Sequence, residues 1–531
     1  MRSSNSAAVR ATLIGVAGII ACWLLATPRN AGPDEPSHSV ASAALVRGQT
    51  DGVAVGVDYQ ADEFQVPAMV GEPNPGCFAF YPDTAAACEG TPPDDTSLTG
   101  RQTTSNGYPI WGHLLPGLAS FVPSASLYAY LARLLNALLP VALLVGALMR
   151  CRRHTSAWLS TGLLVGLTPI AWFIMGIVSP SALAIAGGAA LWAATLTDPR
   201  RNTDMLLAAA WAATLLPRRD GPVWATLIIA FACLATDRLP SDLWRRAGRA
   251  GQIVIGVSLP LTLLPTLMNG YDKLNTMLPM VLVVLPVGEF IVRRWRAAGL
   301  RPPRPIVVAL GGLVLAVIAV AFANVLRPSG VDLDMTGRVV NLTGRHLRQL
   351  VGVLGWLDTP IPESALLLWW VVLGAMAMVA LLTAPRLVAV AAGTLGAGIV
   401  MAWVLELGTG DTSGTYWQGR YTMPLIVGLP MILAMRAPQD EAAVRRARRT
   451  VHGAVWAVWN AAFYAAMRRW GSGVDGTVYP WKWTNWNAPL HPSIFLVLHA
   501  LASGWLLLRI GATAHDAPDA PTSGQLLQAT D

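Results

Sequence analysis

Two adjacent carboxylates and an imidazole, Asp34, Glu35 and His38, fall in the run Pro33-Asp34-Glu35-Pro36-Ser37-His38, within about ten residues of the end of an apolar stretch. That combination suits proton transfer: a carboxylate ionised at rest is a general base, and an imidazole beside it donates or accepts a hydrogen bond. Ser37 to Gly48 reads as a helix with Val40, Ala44 and Leu45 on its apolar side. Asp34 is expected to cap that helix, and both acids would lie in its positive first turn, which favours the charged form. The bland alternative is a cap with a solvated neighbour. A charge pair pinned by two prolines where a lipid headgroup would lie argues for chemistry.

An anionic substrate at that boundary needs cations or helix N-termini. Gln418-Gly419-Arg420-Tyr421 puts Arg420 at the start of a helix, where a guanidinium binds phosphate bidentately. The competing reading makes Arg420 an interfacial anchor and Tyr421 part of the aromatic belt. Arg218 and Arg219, beside Asp220, read as phosphate ligands or as an internal ion pair capping a hairpin. Arg345 shares one face of an amphipathic helix with Arg348, which fits a phosphate or an ordinary headgroup. Asp358, between Trp356 and Pro360, is a second acid, a metal ligand or a turn residue. Arg133 falls inside an apolar run. A charge there faces protein or water and has a partner, so it belongs near the outer acids or snorkels to the interface. Cys77 and Cys88 share one polar loop and would close a small disulfide if that loop is extracytoplasmic.

The frame that must hold these groups is a membrane. Of 531 residues, 54% are hydrophobic and 13% charged, against roughly 25% charged in soluble proteins. With a mean hydropathy of +0.48, this excludes a soluble enzyme, a disordered chain and a coiled coil. A spanning helix needs about 20 apolar residues, and on that template the chain is an all-α polytopic protein with about 14 spans. They run near 11–27, 124–149, 157–178, 180–197, 205–217, 222–236, 251–267, 277–291, 306–326, 365–383, 387–406, 422–435, 451–467 and 494–510. The fifth, sixth and eighth are short enough to be tilted or re-entrant.

Basic residues set the orientation. With the N-terminus inside, about 23 of them are cytoplasmic and about 14 outside, and the carboxylates lean the other way. Both termini are then cytoplasmic in a multi-pass protein of the cell membrane. Residues 1–27 are the first span, a signal-anchor that also resembles a secretory signal. The outer loop 28–122 carries the acidic motif, 123–326 holds further spans, and 327–364 is a second outer loop. Residues 365–510 hold the C-terminal spans, with outer loops 407–421 and 468–493, and 511–531 is a disordered cytoplasmic tail. The arginines sit in short clusters between apolar runs, the topology signal rather than a nucleic-acid stripe. No Walker-type loop or C-x-x-C occurs, and no G-x-G-x-x-G follows a strand-like run. The chemistry is therefore expected on the outer face, without direct use of cytosolic nucleotide.

Pro-Asp-Glu-Pro-x-His after the first span resembles a bacterial family of predicted membrane proteins allied to the GT-C glycosyltransferases. Tyr108-Pro109-Ile110, Arg133-Leu134-Leu135-Asn136, Leu167-Thr168-Pro169, Gly355-Trp356-Leu357-Asp358-Thr359-Pro360 and Gln418-Gly419-Arg420-Tyr421 are similar to its later motifs. Ser179-Pro180-Ser181 departs from it, since an Asn is expected near the middle position. The resemblance implies a GT-C-like fold with a large first outer loop and an acidic catalytic residue close to the membrane. It implies Asp34 as general base toward an acceptor hydroxyl, Glu35 orienting the acceptor or a metal, and His38 bonding the acceptor or a donor phosphate. The partners implied are a polyprenyl-phosphate sugar donor, a cell-envelope glycan or lipid acceptor and the bilayer. No cofactor is singled out, and the carboxylates would admit a divalent Mg or Mn ion. The alternative function is a transporter or flippase of a lipid-linked envelope precursor. Proton-coupled transport calls for ionisable groups near the bilayer midplane, whereas the acids gather at the outer interface.

Overall fold

The computed structural model describes residues 2–55, 61–71, 77–90, 93–105, 107–152, 158–199, 203–269, 278–299, 333–409, 417–436, 441–484, 486 and 488–512. The span expected at 306–326 and nearly all of the expected tail lie outside the described residues. In chain order the main elements are α1 (Arg2–Ala26), α2 (Glu35–Leu45), β1 (Val53–Val55), β2 (Ala61–Pro67), β3 (Leu98–Thr103) and α3 (Ala125–Cys151). Then come α4 (Trp158–Gly166), α5 (Pro169–Met175), α6 (Pro180–Leu196), α7 (Met205–Leu215), α8 (Gly221–Thr236) and α9 (Pro240–Leu261). The chain continues with α10 (Thr343–Gly352), β4 (Val353–Leu354), β5 (Thr359–Pro360), α11 (Glu363–Thr383) and α12 (Pro385–Thr409). It ends with α13 (Gly419–Ile426), α14 (Glu441–Ser472) and α15 (Pro492–Ala512), with shorter helical turns between.

The protein is a polytopic helical membrane protein. Among the described residues α1, α3, α11, α12 and α15 are each long and apolar enough to cross a bilayer. The pairs α4–α5 and α8–α9 would bring the number to seven, but they bend by 69° and 113°. The expected count of about 14 is thus not reached among the described residues, and the reason is local. Pro169 and Pro240 each open a new helix, since proline lacks an amide donor and its predecessor avoids the helical region. Helices α6 and α7, at 17 and 11 residues, are too short to span alone. All of α6 except Leu183 is buried in the protein. An apolar run thus marks burial, in protein or in lipid, and not always a crossing.

Helix α1 packs antiparallel on α15. Gly15 leaves no room for a Cβ, which would meet Leu506 Cβ at 2.8 Å, the small-residue contact that lets membrane helices approach closely. This pairing places the described ends, residues 2 and 512, on one side of the bundle and the α1–α2 connection on the other.

The first long loop is not purely helical. Strands β1, β2 and β3 form an antiparallel sheet in which Phe64 opposes Arg101. Phe64 and Val66 turn inward onto Val40, Ala43 and Ala44 of α2, so the sheet is a lid on that helix. Cys77 and Cys88 form the expected disulfide. Arg469 of α14 donates to the carbonyls of Phe78, Tyr81 and Thr84 within the same loop.

One ion pair ties this outer layer to the helices. Arg133, in the third turn of α3, donates from Nε to Glu35 Oε1 and from Nη2 to Oε2, at 2.7 and 2.8 Å. Its remaining N–H groups reach the carbonyls of Leu24, Thr27 and Pro28, where α1 ends. Glu35 also accepts from the amides of Gly32 and Val178. Every donor of a buried guanidinium and both oxygens of a buried carboxylate are satisfied. Replacing Glu35 by Gln strands the Arg133 charge, which typically costs about 3–5 kcal/mol in a buried pair. Thermal unfolding of E35Q in detergent should therefore show a large drop in Tm, partly restored by adding R133L. An unchanged Tm in E35Q would show that the pair does not hold the layers together.

Candidate functional site

Asp34 and Glu35 are neighbours in sequence with opposite surroundings. Asp34 adopts a left-handed conformation, φ 63°, ψ 6°, at the N-cap of α2, and its side chain makes no capping hydrogen bond. The expected cap is therefore absent, because the carboxylate turns away from the helix and pairs with Arg420 Nη2. Its side chain is 37% exposed, while that of Arg420 is 3% exposed. Aspartate tolerates the left-handed region better than most residues, and Pro36 in the first turn of α2 is already set for a helix. Glu35 is consumed by Arg133 and two amides, so a role for it in orienting acceptor or metal gives way to a structural one. Arg133 is likewise saturated, all of its N–H groups being engaged within the protein. It does lie at the outer acids, one of the two placements expected for it.

Arg420 is positioned by glycine. A Cβ at Gly419 would sit 2.7 Å from Gln349 Cβ and from the His346 carbonyl of α10. Only glycine lets α13 start this close to α10, where its amide donates to Gln349 Oε1. From there Arg420 reaches Asp34 and the Tyr421 hydroxyl, yet its Nε and Nη1 are buried without a partner. The Gln418 side-chain oxygen is buried and unpartnered as well. Tyr421 lies between two guanidiniums, with Arg420 4.9 Å and Arg218 4.2 Å from its ring centroid. Arg218 is held by Asp220 at 2.8 Å and by Ser181 Oγ at 2.8 Å. The ion-pair reading of Arg218 is thus realised, but beside Arg420 rather than apart from it. Arg219 donates to the Gly107 carbonyl and approaches the ring of Tyr108.

Tyr108 and His113 are the functional candidates that residue-by-residue reading passed over. His38 Nδ1 lies 3.2 Å from His113 Nε2, and Tyr108 meets the His38 ring edge-on at 5.3 Å. Tyr108 already stood in a noted motif; His113, five residues on, offered only the signal of a second histidine in the same outer loop. The structure brings together Asp34, His38, Tyr108, Arg218, Arg420 and Tyr421. It does not bring in Asp358, which pairs with Arg469 at 2.9 Å and accepts from Thr359; this anchors the β4–β5 turn instead of serving as a second acid or metal ligand. Arg345 is solvent-exposed on α10 and Arg348 pairs with Glu363 at the surface.

This donor set does not suit a divalent metal. Glu35 is fully engaged, Asp34 faces a guanidinium, and among the described residues no three His, Cys, Asp or Glu side chains gather as ligands. What the arrangement offers is one accessible carboxylate, two buried guanidiniums and a neutral imidazole pair. Such a cluster can take up a proton at Asp34 and hold an oxyanion at Arg420.

Burial, then His113, Arg420 and Arg218, hold the His38 pKa well below its ordinary value. Burial also lowers His113 to about 4, against a small opposing effect of a hydrogen bond with Pro109. Both rings are neutral at pH 7. The unfolded chain binds these protons near pH 6.5 while the folded chain resists, so the unfolded state carries more protons below that value. Their contribution is complete above pH 6.5 and is lost as the pH falls toward 4. Tm measured from neutral to acidic pH should fall less steeply in H113Q than in the unaltered chain; equal slopes would refute the neutral pair.

Crystal structures of ArnT from Cupriavidus metallidurans are similar to this chain at 13% identity. The form bound to undecaprenyl phosphate aligns over 94% of this chain and 76% of its own, with a TM-score of 0.40. The apo form aligns over 94% and 75%, with a TM-score of 0.35. No curated protein matches. The model of the family described as predicted membrane protein (DUF2142) matches residues 18–429, a stretch that contains Asp34, His38, Tyr108, Arg218 and Arg420 alike, and the chain belongs to that family.

Proposed function

We propose that this protein is a membrane glycosyltransferase, moving a sugar from a polyprenyl-phosphate donor to a cell-envelope acceptor on the extracytoplasmic face. The observation that carries this reading is the Asp34–Arg420 pair: an accessible carboxylate held against a buried guanidinium that keeps two N–H donors unused. In this reading an acceptor hydroxyl attacks the anomeric carbon as Asp34 takes its proton. The bond from that carbon to the phosphate oxygen breaks, and the lipid phosphate leaves with the electron pair. Arg420, with Arg218 across the Tyr421 ring, stabilises the charge that develops on the leaving oxygen. His38, neutral beside them, orients the acceptor or a phosphate oxygen. Arg219 and Tyr108 border the same site, and Gln418 supplies an unused acceptor.

An apolar groove of about 310 Å³, lined by Leu350, Ile399, Trp403, Gly419 and Thr422, passes one residue from Arg420 and suits a prenyl tail. The transporter reading is less well supported by the charge distribution. The pairs Glu35–Arg133, Asp34–Arg420, Arg218–Asp220 and Asp358–Arg469 cluster at one end of the bundle, and Arg150 and Arg246 meet Asp204 at the other.

The test is transfer from labelled polyprenyl-phosphate sugars in membranes holding equal amounts of each variant. Asp34→Asn should lower the rate by about 10²–10⁴-fold, the usual worth of a positioned base. Arg420→Lys keeps a charge but not the bidentate fork, so it should also lose activity. Undiminished transfer by D34N would remove the assigned base, and absence of transfer by the unaltered protein would favour transport.

A further inference from the structure

The opposite end of the bundle holds a site with different chemistry. A cavity of about 420 Å³, almost wholly apolar, opens between α11, α14 and residues 433–436, lined by Trp158, Ala375, Met376, Val379, Arg436 and Val451 among others. On α11, Ala375 is exposed and Val379 half-buried, and their neighbours Met378 and Leu382 are exposed apolar side chains. The cavity therefore opens sideways, toward lipid. Trp158 is buried, and its indole N–H has no acceptor. A donor left so in an apolar setting is costly, and an indole in that position ordinarily finds a partner.

The mouth is cationic. Arg436 is exposed there, and Arg446 and Arg449 are exposed on the first turns of α14. Among the described residues none of these three makes an ion pair, although ten other arginines pair at 2.9 Å or less. The asymmetry of basic residues along the sequence assigns this end to the cytoplasmic leaflet, whose anionic lipids collect at basic pockets between helices.

We infer that this cavity holds an anionic phospholipid, with an acyl chain against Ala375, Met376 and Val379, a lipid oxygen accepting from the Trp158 N–H, and the headgroup phosphate beside Arg436. The inference is independent of the chemistry assigned to Asp34. A zwitterionic lipid would fill the apolar walls equally well but would leave the arginine charge less compensated, so the charge at the mouth selects the anionic class.

The test uses the full chain reconstituted in phosphatidylcholine containing a minor share of phosphatidylglycerol, then washed in mild detergent. Retained lipid is extracted and weighed by class against protein. The unaltered chain should keep phosphatidylglycerol in excess of its share of the bilayer. Arg436→Gln should reduce that excess about fivefold, the effect of one arginine near an anionic surface, and Trp158→Phe should reduce it while conserving shape. Ala375→Phe, at an exposed position, should block the cavity and abolish retention with little change of Tm in phosphatidylcholine alone. Retention of the two lipids in the proportion supplied, or full retention by A375F, would overturn the assignment.

Discussion

The structure depends on one buried guanidinium. Arg133 ends α1 by accepting the role that water plays for a soluble helix, bonding the carbonyls that the last turn leaves without partners. The same side chain starts α2 by holding Glu35, and Glu35 in turn fixes the turn that precedes α6 through the amide of Val178. Three connections near the membrane boundary thus share one charge. In a medium without water every polar backbone group needs a protein partner, and a five-donor side chain satisfies several at a stroke where a lysine could not.

The clamp also decides what Asp34 can do. With Glu35 drawn inward and Pro33 and Pro36 limiting the backbone on either side, the residue between is left with the left-handed conformation. Its carboxylate is thereby carried off the axis of α2, away from the amides it would otherwise cap, and into reach of Arg420. Two adjacent acids are thus sorted by their surroundings, one spent on architecture and one left accessible. The arginines divide in the same way. Arg133 and Arg218 have carboxylate partners within 2.9 Å and no buried N–H left over, while Arg420 pairs with a single acid and keeps part of its fork unused.

Much of this was legible from residue types. The apolar composition specified a helical membrane protein, the position of Arg133 within a span left it either near the acids or snorkelling, of which the first is found, and the Cys77–Cys88 loop closed as its spacing allowed. What was hidden follows from a common cause, that one-dimensional patterns do not distinguish burial in protein from burial in lipid. Helices α6 and α7 read as spans because every face is apolar, yet α6 is packed within the bundle and α7 buries one side in it. The strands at Val53, Ala61 and Leu98 are short and carry Asp62, Glu63 and Arg101, so no alternation stood out. Glu35 could not be told from Asp34, since the difference lies in which acid meets a residue 98 positions away. The Asp34–Arg420 contact spans 386 positions, and only the folded chain brings the two motifs together.

The unused edge of Arg420 is the point on which structure and proposed chemistry meet. A buried donor without a partner costs about 1–3 kcal/mol, and Arg420 carries two such groups beside the unpartnered oxygen of Gln418. Asp220 shows that this region can place a carboxylate against a guanidinium where one is needed. A second carboxylate at Arg420 would stabilise the resting fold but would repel a phosphate. The absence of that group among the described residues around Arg420, together with Arg218 across the same tyrosine ring, leaves a local excess of positive charge. In the proposed reading an anion from outside the chain would neutralise that excess, with Asp34, the carboxylate that Arg420 itself holds, beside it to take a proton.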